Sequence, residues 1–305
     1  MSTLLQQLAN GVVQGALIAL IALGYTMVYG IIQLINFAHG EVFMVGAYGG
    51  LATYTWLVPE AVKDVWYVSL PLVLLGGVAI SVAVALVMER FAYRPLRNAP
   101  RLAPLITALG VSAFLQEFVR NFYPNATAAL PFPGVFVQGQ LVIGPIRISW
   151  SGVLLIFVSV ILSVLLQTYI NRSRMGRAMR ATAQDPDTAK LMGVNPDRVI
   201  VLTFVIGAAL AGVAGVLFGT YLNNVNTDMG FQTGIFAFTA AVLGGVGSIR
   251  GAVIGAFIIG LVKSLAGQYM PGGTKYDYVW IFIMLILVLV FRPQGLFGEP
   301  ERVRA

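Results

Sequence analysis

Apolar runs dominate this chain, and short polar stretches cut them at spacings close to the thickness of a lipid bilayer. A helix needs about 20 mostly apolar residues to cross the hydrocarbon. Nine segments approach that length: 8–32, 41–58, 69–90, 102–120, 150–170, 199–221, 231–248, 251–268 and 277–291. The last three are short or interrupted by glycine, so tilted or re-entrant helices are expected there. The pattern predicts an all-α polytopic membrane protein with eight or nine transmembrane helices, some broken or short, forming one domain over residues 1–305. Nine crossings put the amino end outside if the carboxyl end is inside. If 8–41 is a broken hairpin, the count falls to eight and the amino end moves inside.

Two stretches depart from this pattern. Residues 121–149 alternate apolar and polar positions, which predicts a small β-hairpin capping the outer side. Residues 171–198, NRSRMGRAMRATAQDPDTAKLMGVNPDR, form a charged island between two apolar spans. Within it Asp185-Pro186 and Gly193 bracket a very short helix, with Asp as N-cap, proline at the first helical position and glycine just past the end. Asn195-Pro196-Asp197 repeats the start signal and opens the next span. A stiff helix held between two membrane segments is suited to docking on another protein. Leu191 and Met192 would supply apolar contacts there, and Arg177, Arg180 and Lys190 charged ones.

Composition narrows the class. The chain is 58% hydrophobic and 10% charged, against roughly 25% charged in soluble domains. It has no cysteine and one histidine, which excludes a disulfide framework and Cys/His zinc sites. The net charge of +7 reflects topology and not nucleic acid. Fourteen of the 19 Lys+Arg residues fall on one side of the proposed spans, namely Arg90, Arg94, Arg97, Arg101, the six of the island, Arg250, Arg292, Arg302 and Arg304. That side is expected to be cytoplasmic. Trp56, Trp66, Trp150 and Trp280 then fall near outer boundaries, as interfacial anchors do. The start MSTLLQQLANG has no basic n-region, so the first apolar stretch is expected to be retained.

Candidate chemistry is sparse. Asn36, His39 and Glu41 arrive where one apolar span hands over to the next, and ionisable groups at membrane depth usually face a cavity or a partner. They are candidates for lining a translocation path; the alternative is a surface loop with Asn36 as an N-cap. Glu117 and Arg120 have the spacing of an i, i+3 ion pair, and Lys263 is expected to snorkel or pair inside the bundle. Small residues at Ala208, Ala211, Gly212, Gly215 and Gly219, and at Gly251 and Gly255, suit close helix packing within the chain. No P-loop, nucleophile elbow or zinc motif is present. An enzyme is not expected, and any ATP chemistry must come from other polypeptides.

Three blocks carry a resemblance: GYTMVYGIIQLINFAHGEVFMVGAY (24–48), RSRMGRAMRATAQDPDTAKLMGVNPDRVIVLTFVIGAALAGVAGVLFG (172–219) and AVLGGVGSIRGAVIGAFIIGL (241–261). They closely resemble the LivH-type permease of branched-chain amino-acid ABC transporters, and the likeness covers nearly the whole chain. It implies a multi-pass subunit of the bacterial inner membrane that forms half of a pathway for leucine, isoleucine or valine. The implied partners are a LivM-type second permease, two cytosolic ATPases that bind ATP and Mg, and a periplasmic or lipid-anchored binding protein; this chain itself would hold no cofactor. The resemblance also makes Gln184, Asp185, Pro186, Asp187, Thr188, Ala189, Lys190, Leu191, Met192 and Gly193 the coupling helix that docks on an ATPase. Of the Glu-Ala-Ala…Gly signature of that loop only Ala189-xxx-Gly193 remains here. Relatives carrying urea, amides or other amino acids are the alternative. A secondary transporter working alone with His39, Glu41 or Glu117 as an ion site is the rival class, disfavoured by the lack of two related repeats in the sequence.

Overall fold

The computed structural model describes residues 2–33, 36–97, 99–100, 102–292 and 294–298. Arg101, Arg302 and Arg304 of the basic tally lie outside the described residues. Helices account for most of what is described: α1 (Ser2–Ile32), α2 (His39–Ala52), α3 (Glu60–Lys63), α4 (Trp66–Met88), α5 (Leu102–Phe122), α6 (Trp150–Arg172), α7 (Arg174–Gln184), α8 (Pro186–Leu191), α9 (Pro196–Leu222), α10 (Met229–Gly244), α11 (Ile249–Tyr269) and α12 (Asp277–Phe291). Seven helical segments are long and apolar enough to cross a membrane. They are α1, α4 with its extension to Leu96, α5, α6, α9, α11, and α12 with the turn before it. The protein is a multi-pass membrane protein. Each of the nine segments expected from hydropathy is a helix, and 251–268 is a full span, neither short nor broken. The two short members are α2, continued by a π-helical turn over Thr53–Leu57, and the 16-residue α10.

Close glycine contacts fix how the helices run. Gly11 and Gly15 of α1 lie against Leu261 and Phe257 of α11, so those helices are antiparallel. Gly212 of α9 meets Val78 of α4, and Gly215 meets Phe43 and Ala47 of α2. Gly251 and Gly255 of α11 pack on Gly244 and Ala240 of α10. The small-residue stripes therefore bind helix to helix inside the chain, where close backbone approach supplies adhesion in lipid.

The amino end of α1 reaches the hairpin end of the molecule, where Gln6 Nε2 donates to the Arg147 carbonyl at 2.9 Å. Its carboxyl end meets the α10–α11 turn, with Gly30 facing Gly247. From there a break leads to α2, which returns toward the hairpin end beside α9. The same sequence of events recurs upside down. Helix α9 runs from the island to the hairpin end, breaks, and is followed by the short α10, which returns toward the island end. Helices α4 and α5 follow the first pair, α11 and α12 the second, and α6 connects them. The two halves thus follow the same order of long and short helices in inverted directions, an arrangement carried by helix lengths and directions that the sequence pattern does not display.

The hairpin expected within 121–149 is present. Strands β2 (Gln140–Ile143) and β3 (Ile146–Ser149) pair antiparallel, Gln140 opposite Ser149, around Gly144 at φ +58°. A second small pairing joins β1 (Leu130–Pro131) to β4 (Asn224–Val225). The island is richer than expected. Besides the short helix it holds the 11-residue α7, capped by Ser173, whose hydroxyl accepts from Gly176 N at 2.8 Å. Met179 and Thr182 of α7 are buried. The exposed guanidinium of Arg180 donates to the Ile170 carbonyl at the end of α6, so Arg180 closes a helix end.

Candidate functional site

Two short helices begin inside the bundle, and their beginnings meet. At the end of α1, Gln33 takes φ +56°, a left-handed conformation that turns the chain out of the helix. Residue 39 then packs against Gly24, eight residues before the end of α1, which is about 12 Å back along that helix. A Cβ at Gly24 would lie 2.0 Å from His39 Nε2, so only glycine leaves room for the imidazole. Ala38 at the head of α2 and Asp228 at the head of α10 provide no side-chain cap to their own helices. Gly40 approaches the carbonyl of Gly230 so closely that a Cβ would sit 2.4 Å from that oxygen. The positive ends of two helix dipoles converge here, at membrane depth.

All three polar residues singled out from the sequence lie at this junction. Asn36, His39 and Glu41 are buried, Glu41 completely. Asn36 is not the N-cap of α2, a position held by Ala38; its Oδ1 accepts from the Tyr93 hydroxyl at 2.6 Å. Tyr93 also meets the ring of Phe204 at 5.4 Å, so Asn36 ties the α1–α2 break to α4 and α9. The His39 ring lies edge-on to Tyr25 at 4.9 Å. Ser112 of α5 donates to Glu41 Oε1 at 3.2 Å. Glu41 Oε2 is buried without a hydrogen-bond partner among the described residues and lies against Gly230, where a Cβ would come within 2.4 Å of it.

One turn beyond Glu41 lies a group that hydropathy did not reveal. Asp228 accepts from Gln116 Nε2 at 2.8 Å and from Arg120 Nη2 at 3.0 Å. Arg120 also holds Glu117 at 2.5 Å, the i, i+3 pair expected from spacing. Ser112, Gln116 and Arg120 recur every four residues along a mostly apolar helix, which places them on one face. That period was the available signal. Asp228 had none, because it sits in a loop distant in sequence.

The island forms a second candidate surface. Asp185 caps α8, its Oδ1 accepting from Asp187 N at 3.0 Å and Thr188 N at 3.2 Å, with Pro186 at the first position. Gly193 closes the helix at φ +82°. Ala189 is buried beneath it, whereas Leu191 and Met192 are 87% and 80% exposed. Asn195 caps α9 through Arg198 N at 3.2 Å. Next to that cap, Asp197 takes both Arg94 and Arg97, and Arg97 also pairs with Glu89. The α4 terminus is thereby tied to the first turn of α9, directly after α8. Glu89 is buried while Arg97 is partly so, and removing one partner of a buried pair costs about 3–5 kcal/mol. Arg97→Ala is expected to lower the thermal midpoint in detergent clearly more than Glu89→Gln, which leaves no stranded charge. Equal midpoints for the two variants would show that the pair carries no such weight.

A family profile described as branched-chain amino acid transport system / permease component matches residues 7–289. The chain belongs to that family. Among relatives of the permease, the high-affinity branched-chain amino acid transport system permease protein BraD of Pseudomonas aeruginosa is 46% identical over 303 residues, covering 97% of this chain and 96% of the relative. The corresponding permease protein LivH of Escherichia coli K12 is 46% identical over 299 residues with the same coverage. Among solved structures, a chain of PsaBC from Streptococcus pneumoniae in complex with a Fab superposes with a TM-score of 0.52. It is 12% identical and covers 94% of the permease and 92% of its own length, a likeness of fold alone.

Proposed function

We propose that this permease is one half of the translocation pathway of an ATP-driven importer for leucine, isoleucine and valine in a bacterial inner membrane. Residues 1–305 then act as one transmembrane domain, with 121–149 as the outer cap and 171–198 as the cytoplasmic coupling segment. A LivM-type permease would complete the pathway, two cytosolic ATPases would bind ATP and Mg, and a periplasmic or lipid-anchored binding protein would deliver substrate. The permease itself needs no cofactor. The observation that carries this is the 46% identity to BraD and LivH across 97% of the chain.

In this scheme Asn36, His39 and Glu41 line the path at the half-helix junction. These side chains are buried within the chain, and a rotation of one half against the other would expose them. Binding protein and ATPases would each favour a different state of the pair. The segment Gln184–Gly193 would receive the ATPase displacement. The Arg94–Asp197–Arg97–Glu89 cluster would pass it to α4 and α9 together, because those charges bridge both helices.

Proteoliposomes decide between this and a carrier working alone. Leucine uptake is expected only with the second permease, ATPases, binding protein and ATP all present. Uptake by the purified chain under an ion gradient would support the secondary-transporter class, whose inverted halves this fold shares.

A further inference from the structure

One intramembrane cation takes no part in the junction or the coupling segment. Lys263 lies within α11, its Nζ 4.3 Å from the centroid of the Phe236 ring. Among the described residues it forms no salt bridge; Asp277 acts on it only at longer range. It borders a cavity of about 200 Å³ between α1, α9, α10 and α11, lined also by Val13, Gln14, Leu17, Phe218 and Thr233. Gln14 Oε1 is buried there without a donor among the described residues. A cation inside a helix bundle calls for a counter-charge, and an unmet acceptor calls for a donor. At about 30 Å³ per molecule the space equals roughly six waters, enough for a small solute.

We propose that this cavity is a second amino-acid site, distinct from the Glu41 junction, that takes a small aliphatic α-amino acid. The carboxylate meets the Lys263 ammonium, the α-ammonium donates to Gln14 Oε1, and the side chain lies against Val13, Leu17 and Phe218. A zwitterion with an aliphatic tail supplies all three complements at once. A simple anion leaves Gln14 unmet, and an amine leaves Lys263 uncompensated.

The test uses the full-length chain in nanodiscs, without ATPases, binding protein or nucleotide, followed by thermal unfolding against leucine, 4-methylpentanoate and leucinamide. Leucine is expected to raise the midpoint saturably. Its two analogues, each lacking one charge, should shift it less. Lys263→Met and Gln14→Leu should each weaken the apparent leucine Kd about tenfold or more, the usual scale for losing a hydrogen bond to a charged group, while Lys275→Met keeps the parental response. No leucine shift, an equal shift with leucinamide, or an unchanged Kd in Lys263→Met would overturn the proposal. If Lys263→Met does not fold, the analogue series on the parent and Gln14→Leu decide. Because binding is read without ATP or uptake, failure of the importer scheme would leave this result standing, and the reverse also holds.

Discussion

Gly40→Ala is expected to abolish uptake while the chain still inserts in the membrane. The added Cβ would lie 2.4 Å from the Gly230 carbonyl oxygen and 3.0 Å from Gly234 Cα. Both obstacles are backbone, so no rotamer change relieves the clash, and α2 and α10 must move apart. Overpacking of this kind costs roughly 1–3 kcal/mol and occasionally more, a large part of a total stability of about 5–15 kcal/mol. The displacement also falls where Glu41 Oε2 lies against Gly230, so the junction loses its geometry as well as its stability. Gly110→Ala is the control, since a Cβ there meets nothing within 4 Å and alanine favours helix by up to about 1 kcal/mol. Detergent melting and vesicle uptake of both variants give the comparison. A Gly40→Ala protein that melts and transports like Gly110→Ala would show that the half-helices do not need this contact.

The second large effect is expected at α8. Ala189 N donates to the Asp185 carbonyl at 3.0 Å, so Ala189→Pro deletes that bond and breaks a six-residue helix, at about 3 kcal/mol for an interior proline. Coupled ATP hydrolysis should fall severely, with membrane insertion intact because no span is altered. Lys190→Glu separates docking from folding. Among the described residues Lys190 pairs with Asp187 of its own helix alone, at 3.2 Å and largely exposed, an interaction worth about 0–1 kcal/mol. Its reversal should therefore leave the melting midpoint unchanged and still reduce substrate-stimulated hydrolysis in the reconstituted complex. Unchanged hydrolysis and uptake in both variants would remove the coupling role from this segment.

Local signals were legible wherever one residue type implies one backbone geometry. The caps at Asp185 and Asn195, Pro186 at the first helical position and Gly193 beyond the last turn each appear as expected. The same holds for the hairpin of 121–149. Helix α7 does not stand out in the sequence because its three arginines mask the buried positions Met179 and Thr182, and its cap, Ser173, lies inside a polar run. The bond from Arg180 to the Ile170 carbonyl was not legible, because a sequence does not show which carbonyl a guanidinium will reach. Asp228 was missed because its partners, Gln116 and Arg120, are more than 100 residues away in the chain.

Hydropathy and residue chemistry, both short-range properties, determined that this chain spans a membrane, where its helices start and stop, and that Asn36, His39 and Glu41 interrupt an apolar run. The tertiary fold alone decided that two helices begin within the bundle and meet head to head, and that the halves repeat upside down. It also brought Asp228 beside Glu41 and left Lys263 facing a cavity without a carboxylate. The difference is physical: burying apolar surface constrains each segment by itself, whereas helix direction and charge pairing depend on backbones closing to contact at glycines far apart in the chain.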